Sequence, residues 1–313
     1  MRALVTGACG FAGSYLVRHL REAGDAVVGT CLRLQEGDSA DCERRALDIC
    51  DEAQCRAVIE SVQPDVVYHL AAITFVPNAE KEFQATLATN VGGTYNLLRA
   101  CREAGGGVRF VFVSSSEVYG RIAPQDLPLS EQQPLRPANN YSMTKAMAEM
   151  VAQRFHGQAG IQSVIARPFN HTGAGQEALF VASSFAKQLA QIAKGLLPSV
   201  IEVGNLEAQR DFSDVRDIVR AYRLIAESGE GVYNLCSGRS VSMQTLLDTL
   251  ITLSGQQVSV EVSAERYRPL DVPEIYGDSS RLRNGLGWEP RHSLEETLES
   301  LYRYWLDKIS RLS

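Results

Sequence analysis

As far as Arg167, apolar and polar positions switch repeatedly between strand-like and helix-like spacing. Arg2 to Thr6 is a short apolar run of chain-stiffening residues. From Phe11 to Ala23 the apolar positions Phe11, Leu16, Val17 and Leu20 recur at helical spacing. Strand, glycine turn and helix therefore open the chain. Further strands are predicted over Ala26–Thr30, Arg44–Leu47, Val66–Leu70, Arg109–Val113 and Ser163–Arg167. Helical stretches separate them: from Asp51 through Val62, from about Phe83 to Ala104, and from Tyr141 onward. Such alternation predicts an α/β architecture, a doubly wound parallel sheet with helices on both faces.

Beyond Arg167 the regular alternation stops. A polar glycine loop runs from Pro168 to Gly175. It is followed by a helix over about Val181–Lys194, a strand at Val200–Gly204, and Arg210-Asp211-Phe212. A helix over Ser213–Ala226 leads into Val232–Leu235, a strand expected to return to the parallel sheet. Short strands around Val258–Val262 and a final helix, Leu294–Leu306, complete a smaller α+β unit. The expected division is 1–167 plus about 213–236 for the sheet domain, and 168–212 plus 237–313 for a discontinuous C-terminal substrate domain.

Composition narrows the function classes. The 313 residues are 45% hydrophobic and carry a net charge of −6 without a long basic run, which disfavours nucleic acid or an anionic membrane as partner. No apolar stretch approaches the roughly 18 residues of a membrane span. Met1 to Val5 runs straight into a strand, so no signal peptide is expected. Seven cysteines (Cys9, Cys31, Cys42, Cys50, Cys55, Cys101 and Cys236) lack CxxC spacing, and the expectation is reduced thiols in a cytoplasmic protein. Five scattered histidines give no metal site.

Candidate chemistry sits at strand ends. In the first turn Gly7 suits the required backbone angles, Gly10 lets a diphosphate approach the main chain, and Gly13 lets the helix pack on the strand. The helix N-terminus then supplies amide donors and positive dipole. An acidic residue ending the second strand would bind a ribose 2′-hydroxyl. Here Thr30, Cys31, Leu32 and Arg33 follow instead, and Arg33 suits the 2′-phosphate of NADP(H), with NAD(H) as the alternative. Asp48 is placed to cap either the adenine amine or the next helix. Ala71, Ala72 and Thr74 leave ligand space at the fourth strand's end, whereas His69, inside that strand, reads as a core histidine. Ser114-Ser115-Ser116-Glu117 brings hydroxyls and a carboxylate to the same crevice. Tyr141 and Lys145 share a helix face at i and i+4, so the ammonium should lower the phenol pKa from about 10. Tyr304 and Lys308 repeat this spacing.

Five motifs in order resemble the extended short-chain dehydrogenase/reductase family: Thr6-Gly7-x-x-Gly10-Phe11-x-Gly13, the serine strand ending Val118-Tyr119-Gly120, Tyr141-x-x-x-Lys145, Arg167-Pro168-x-Asn170 and Leu286-Gly287-Trp288-x-Pro290. The resemblance covers essentially the whole chain and implies a Rossmann-like fold. It selects Tyr141 over Tyr304, because the active tyrosine follows the serine strand. Two stretches, Ala166–Gln176 and Gly204–Phe212, resemble the nucleotide-sugar branch, in particular GDP-4-keto-6-deoxy-D-mannose reductases. A single arginine in Leu32-Arg33 and the short Thr172–Gly175 loop depart from the pattern of GDP-mannose 4,6-dehydratases. Ser115-Ser116-Glu117 resembles a dehydratase's catalytic set, so the dehydratase stays open, as do a 4-epimerase and a non-catalytic NADP-sensing protein.

The resemblance implies Tyr141 as proton donor, Lys145 on the nicotinamide ribose, and Ser115 on the carbonyl oxygen, with Glu117 as an additional catalytic candidate. Implied cofactor contacts are Gly7, Gly10, Phe11, Ala12, Gly13, Arg33, Asp48, Ile49, Leu70, Ala71, Ala72, Tyr141, Lys145 and Pro168. Implied contacts to a GDP-sugar are Thr74, Ser115, Ser116, Asn170, Val181, Lys187, Arg210, Arg268 and Asp271. A homodimer through a four-helix bundle is implied as well.

Overall fold

A computed structural model describes residues 1–34, 42–105, 107–264, 266 and 272–311. In chain order the elements begin with β1 (Arg2–Thr6), α1 (Phe11–Glu22), β2 (Ala26–Cys31), β3 (Glu43–Ala46), α2 (Glu52–Val62) and β4 (Val66–His69). Next come α3 (Val76–Lys81), α4 (Phe83–Leu87), a π-helical turn (Ala88–Gly93), α5 (Thr94–Ala104), β5 (Arg109–Val113), α6 (Asn140–Phe155) and β6 (Gln162–Pro168). The C-terminal part holds β7 (Asn170–Thr172), α7 (Val181–Ala193), β8 (Val200–Val203), β9 (Gln209–Asp214), α8 (Val215–Ser228), β10 (Gly231–Leu235) and β11 (Ser240–Ser242). It ends with α9 (Met243–Ser254), β12 (Ser259–Val262), β13 (Glu274–Ile275), α10 (Ser280–Leu286) and α11 (Leu294–Ser310).

Seven strands form one sheet in the order β10-β6-β5-β4-β1-β2-β3, with every pairing parallel. The chain winds outward from β1 in both directions, so the crevice of a doubly wound sheet opens at the C-terminal ends of β1 and β4. The period-two alternation of side chains divides the core. Ala3, Val5, Tyr68, Val111 and Val164 face one side, with Leu16 and Leu20 of α1 and Ile218 and Tyr222 of α8. Leu4, Val67, Phe110, Phe112 and Ile165 face the other, with α2, α5 and α6. Helices therefore cover both faces, and β10 joins the sheet as expected, parallel to β6.

The long helix expected over Phe83–Ala104 is interrupted by its π-turn. That wider turn holds Asn90, whose side chain accepts from Ile73 N at 2.8 Å and donates to Ile73 O at 3.1 Å and Thr144 Oγ1 at 3.0 Å. Asn90 thereby ties the chain after β4 to the helix carrying Tyr141. Asp51, not Asp48, caps α2 by accepting from Gln54 N at 3.1 Å.

After β6, strand β9 pairs with β7 and β13 in parallel and with β11 in antiparallel fashion, while β12 pairs with β8. Helices α7, α9 and α11 pack over these strands around Phe185, Leu189, Leu246, Leu250, Leu301 and Trp305. Among the described residues no helix is long and apolar enough to cross a membrane. One cysteine expectation is corrected: Cys9 and Cys31 are bonded to each other, because the glycine turn folds onto the end of β2 through Ala8 N to Thr30 O at 3.0 Å.

Candidate active site

The glycine turn shows why glycine is needed. Gly7 adopts φ +70°, and a Cβ there would stand 2.9 Å from Ala71 N. A Cβ on Gly13 would stand 2.1 Å from Gly7 O, so only glycine lets α1 approach β1 this closely. Gly10 is the N-cap of α1, and no side chain caps that end. The backbone amides at this helix start lie at the crevice, a position that suits a diphosphate. Ala71 packs under Gly7 and donates its N–H to Thr6 Oγ1 at 3.2 Å. His69 is a core residue as expected. Its ring lies between Thr6 Oγ1 at 2.7 Å and Thr94 Oγ1 at 2.9 Å, and burial pushes it down to about 3, neutral at physiological pH.

Other expected cofactor contacts surround this turn. Phe11 stacks on His171 with centroids 6.2 Å apart. Arg33 is exposed just past β2, and Ile49 is buried against Gly93. Asp48 accepts from Cys50 N at 2.9 Å, so it stabilises the turn before α2. Ala12, Leu70 and Ala72 are half-buried, and Pro168 ends β6 at the sheet's C-terminal edge.

At the C-terminal end of β5, Ser115 and Tyr141 meet. Ser115 Oγ accepts from Glu117 N at 3.2 Å and also hydrogen-bonds the Tyr141 phenol. Helix α6 starts there because Asn139 and Ser142 form a reciprocal cap, at 2.7 Å for Ser142 N to Asn139 Oδ1 and 3.1 Å for Asn139 N to Ser142 Oγ. Asn139 also donates Nδ2 to Glu117 Oε2 at 3.3 Å, linking the cap to the carboxylate. Neither Asn139 nor Asn90 was singled out from the sequence. The Asn-x-x-Ser spacing before an apolar helix was the available signal for the first, whereas Asn90 acts through a π-turn that leaves no pattern.

The expected pKa relation between Tyr141 and Lys145 is overturned. Burial pushes the Tyr141 phenol up to about 12; the Ser115 hydrogen bond acts against this, and the Glu117 charge adds to it. Burial pushes Lys145 down to about 7, partly offset by Glu149. Lys145 Nζ donates to Val113 O and lies 4.5 Å from the centre of the Phe112 ring. Spacing at i and i+4 gives a shared face, but both heads are desolvated and the ammonium turns to the strand's carbonyl. By contrast the repeated pair is in direct contact on α11, Lys308 Nζ donating to Tyr304 OH at 3.1 Å.

Glu117, Ser116, Asn170 and Arg210 line one pocket, floored by Tyr119 and Ile275. Arg210, on β9, donates to Gln209 O at 2.7 Å. Burial lowers its pKa and the facing Glu117 opposes that. Thr74 is exposed beyond β4 and Val181 begins α7. Lys187 lies apart from this pocket lining, with its ammonium 5.5 Å from the centre of the Trp305 ring. Arg268 and Asp271 lie outside the described residues. Behind the pocket, Arg167 forms a buried bidentate pair with Glu149 of α6, at 2.9 and 2.7 Å. It also donates to Tyr119 OH at 3.1 Å.

Residues 4–301 match the sequence pattern described as GDP-mannose 4,6 dehydratase. The GDP-6-deoxy-D-mannose reductase of Pseudomonas aeruginosa is 34% identical over 79% of this chain and 82% of its own length. The GDP-6-deoxy-D-talose 4-dehydrogenase of Aggregatibacter actinomycetemcomitans is 32% identical over 99% of this chain and 100% of its own. Among solved structures, RMD from Pseudomonas aeruginosa complexed with NADPH superposes with a TM-score of 0.88 at 30% identity, covering 98% of this chain and 100% of that one. With its doubly wound sheet, glycine turn and Ser115–Tyr141–Lys145 grouping, this chain belongs to the GDP-mannose 4,6-dehydratase family of extended short-chain dehydrogenases/reductases.

Proposed function

We propose that the protein reduces the C4 ketone of GDP-4-keto-6-deoxy-D-mannose with NADPH. The observation that carries this reading is the meeting of Ser115 with Tyr141 beside the pocket lined by Glu117 and Arg210. Reduction of a ketone needs a proton donor at the developing alkoxide, and a phenol at about 12 keeps its proton throughout the neutral range. When bound, the nicotinamide supplies the hydride. The glycine turn would hold the diphosphate of that cofactor, and Arg33, just past β2, would meet its 2′-phosphate. Ser115 donates to the carbonyl oxygen and orients it toward Tyr141. Lys145 would give up Val113 O to hold the nicotinamide ribose hydroxyls. Arg210 would bind the GDP diphosphate through charge-assisted bonds. The similarity to a GDP-6-deoxy-D-mannose reductase and to a structure with NADPH supports the substrate and the cofactor.

Glu117 favours a second reading, a GDP-mannose 4,6-dehydratase, because a carboxylate in the pocket could serve as the base at C5. One experiment separates the two. Purified protein is mixed with GDP-mannose and NADPH, with and without an added GDP-mannose dehydratase. Absorbance at about 340 nm and product mass are then followed. NADPH oxidation that requires the added dehydratase supports the reductase. Loss of water from GDP-mannose by this protein alone overturns it. Tyr141→Phe should lower turnover by about 10²–10⁴-fold while cofactor binding persists, and unchanged turnover refutes the proton-donor role.

A further inference from the structure

The fold brings Cys9 and Cys31 together at the adenosine end of the cofactor crevice. Cys9 lies within the glycine turn, between Gly7 and Gly10, and Cys31 is the last residue of β2. Their Cα atoms are 5.7 Å apart, inside the roughly 4.4–6.8 Å that a disulfide spans. These two positions are the ones a doubly wound dinucleotide site uses on its adenosine half: the turn for the diphosphate, and the second strand's end for the ribose 2′ position. A sulfur therefore stands where an acidic ribose ligand would otherwise be.

Arg44 supplies an independent observation. It sits on β3 opposite Gly29, which leaves room for it, since a Cβ on Gly29 would stand 3.0 Å from Arg44 Cδ. Its Nη1 points at both sulfurs, 3.4 Å from Cys9 Sγ and 3.9 Å from Cys31 Sγ. Its Nε is buried without a partner among the described residues. A guanidinium with an unmatched donor beside the ribose position is suited to a phosphate, and here it is turned onto sulfur.

We propose that Cys9 and Cys31 form a reversible thiol–disulfide switch that weakens the grip on the adenosine 2′-phosphate end of NADP(H) when oxidised. The inference rests on the NADP(H) reading of the site. The bond pins the turn to β2, fills the ribose position with two sulfurs and keeps Arg44 directed at them. Opening it frees the turn to settle on the diphosphate and frees Arg44, with Arg33, for the 2′-phosphate.

The exchange needs a small-molecule disulfide as oxidant. The Cys9 thiolate attacks one sulfur of that disulfide, a mixed disulfide forms, and one small thiolate leaves. The Cys31 thiolate then attacks Cys9 Sγ, the protein disulfide closes, and the second small thiolate departs. Two electrons have passed from the cysteine pair to the oxidant, and the two cysteine protons go to the released thiolates. Cys9 is exposed and can be attacked or attack, whereas Cys31 is 5% exposed and acts as the resolving partner. Arg44 favours the thiolate on either sulfur once the bond is open. Other cysteines are poor competitors: Cys42, Cys55, Cys101 and Cys236 are buried, and burial raises Cys50.

The test compares full-length protein after oxidised glutathione with the same protein after dithiothreitol. Peptide mass reads the Cys9–Cys31 link, and NADPH fluorescence titration reads affinity without any sugar substrate. The oxidised form should bind NADPH about tenfold or more weakly, and dithiothreitol should restore it. In Cys31→Ser the ratio between the two treatments should fall to about one, whatever its absolute affinity; in Cys50→Ser the ratio should persist. Equal affinities of the two wild-type forms, or a missing Cys9–Cys31 peptide after oxidation, overturn the switch. Absence of NADPH binding in both forms overturns the cofactor reading and the switch together, while sugar turnover plays no part in the readout.

Discussion

Glu149 is the residue through which the stability of the site can be probed most directly. It lies on the same helix as Tyr141 and Lys145, and its carboxylate takes both ends of the Arg167 guanidinium. Side-chain exposure is 1% for Glu149 and 5% for Arg167, so solvent cannot replace a lost partner. Arg167 keeps Tyr119 OH at 3.1 Å and the Tyr119 ring at 5.0 Å, but neither neutralises its charge. Breaking a buried pair by removing one partner costs roughly 3–5 kcal/mol, because an uncompensated charge stays behind. Replacing both by apolar residues of similar size is far less harmful.

Glu149→Leu is therefore expected to destabilise by about 3–5 kcal/mol, lowering the thermal midpoint by roughly 6–20 °C at about 2–4 °C per kcal/mol. The double variant Glu149→Leu/Arg167→Met should recover most of that loss. Urea titrations and thermal melts followed by circular dichroism read both. A loss under about 1 kcal/mol in the single variant refutes the reasoning. So does a double variant no more stable than the single, since the unpaired guanidinium would then not be the cause.

Lys145 makes a prediction with a definite sign. Its folded pKa of about 7 lies below its ordinary 10.5, so folding disfavours the charged amine. That cost is fully present below about pH 7 and is relieved as pH rises from 7 toward 10.5. Lys145→Met should therefore unfold at higher urea than wild type at pH 6, with a gain that shrinks as pH approaches 10; a gain that does not depend on pH refutes it. Gly13→Ala would force a methyl to 2.1 Å from Gly7 O and should destabilise by about 1–3 kcal/mol or more, with loss of NADPH binding in a fluorescence titration. Wild-type affinity in that variant would sink the account of the turn. Glu117→Gln should retain reductive turnover within about tenfold, whereas a working C5 base would lose the roughly 10²–10⁴-fold expected of a general base. Product mass and NADPH absorbance read it.

The fold was legible because each strand and helix carries its own period and the glycine turn is local. The return of Val232–Leu235 to the parallel sheet was also readable. What the sequence hid is long-range. The Tyr141 and Lys145 spacing shows that two heads share a face, but the direction of their pKa changes depends on how dry that face is, and burial is the largest cause for both. The Cys9–Cys31 link joins residues 22 apart that meet only once β2 lies beside β1. Lys187 sat at a plausible helical position, yet its partner, Trp305, comes from the last helix.

Glu117 and Arg210 belong together in the chemistry of the pocket. A carboxylate facing a phenol raises the phenol's pKa and keeps the proton where a reductase needs it at the start of the reaction. An enzyme that begins by oxidising a C4 hydroxyl needs the opposite, a phenol that readily loses its proton. The same carboxylate faces Arg210, so a GDP diphosphate arriving at Arg210 would shift the balance of charge around Glu117 and hence around Tyr141. Under the reductase proposal, substrate binding would reach the proton donor through Glu117. On that proposal the carboxylate would have a role in reduction that requires no proton removal at C5, and a residue of dehydratase type would fit a reductive site.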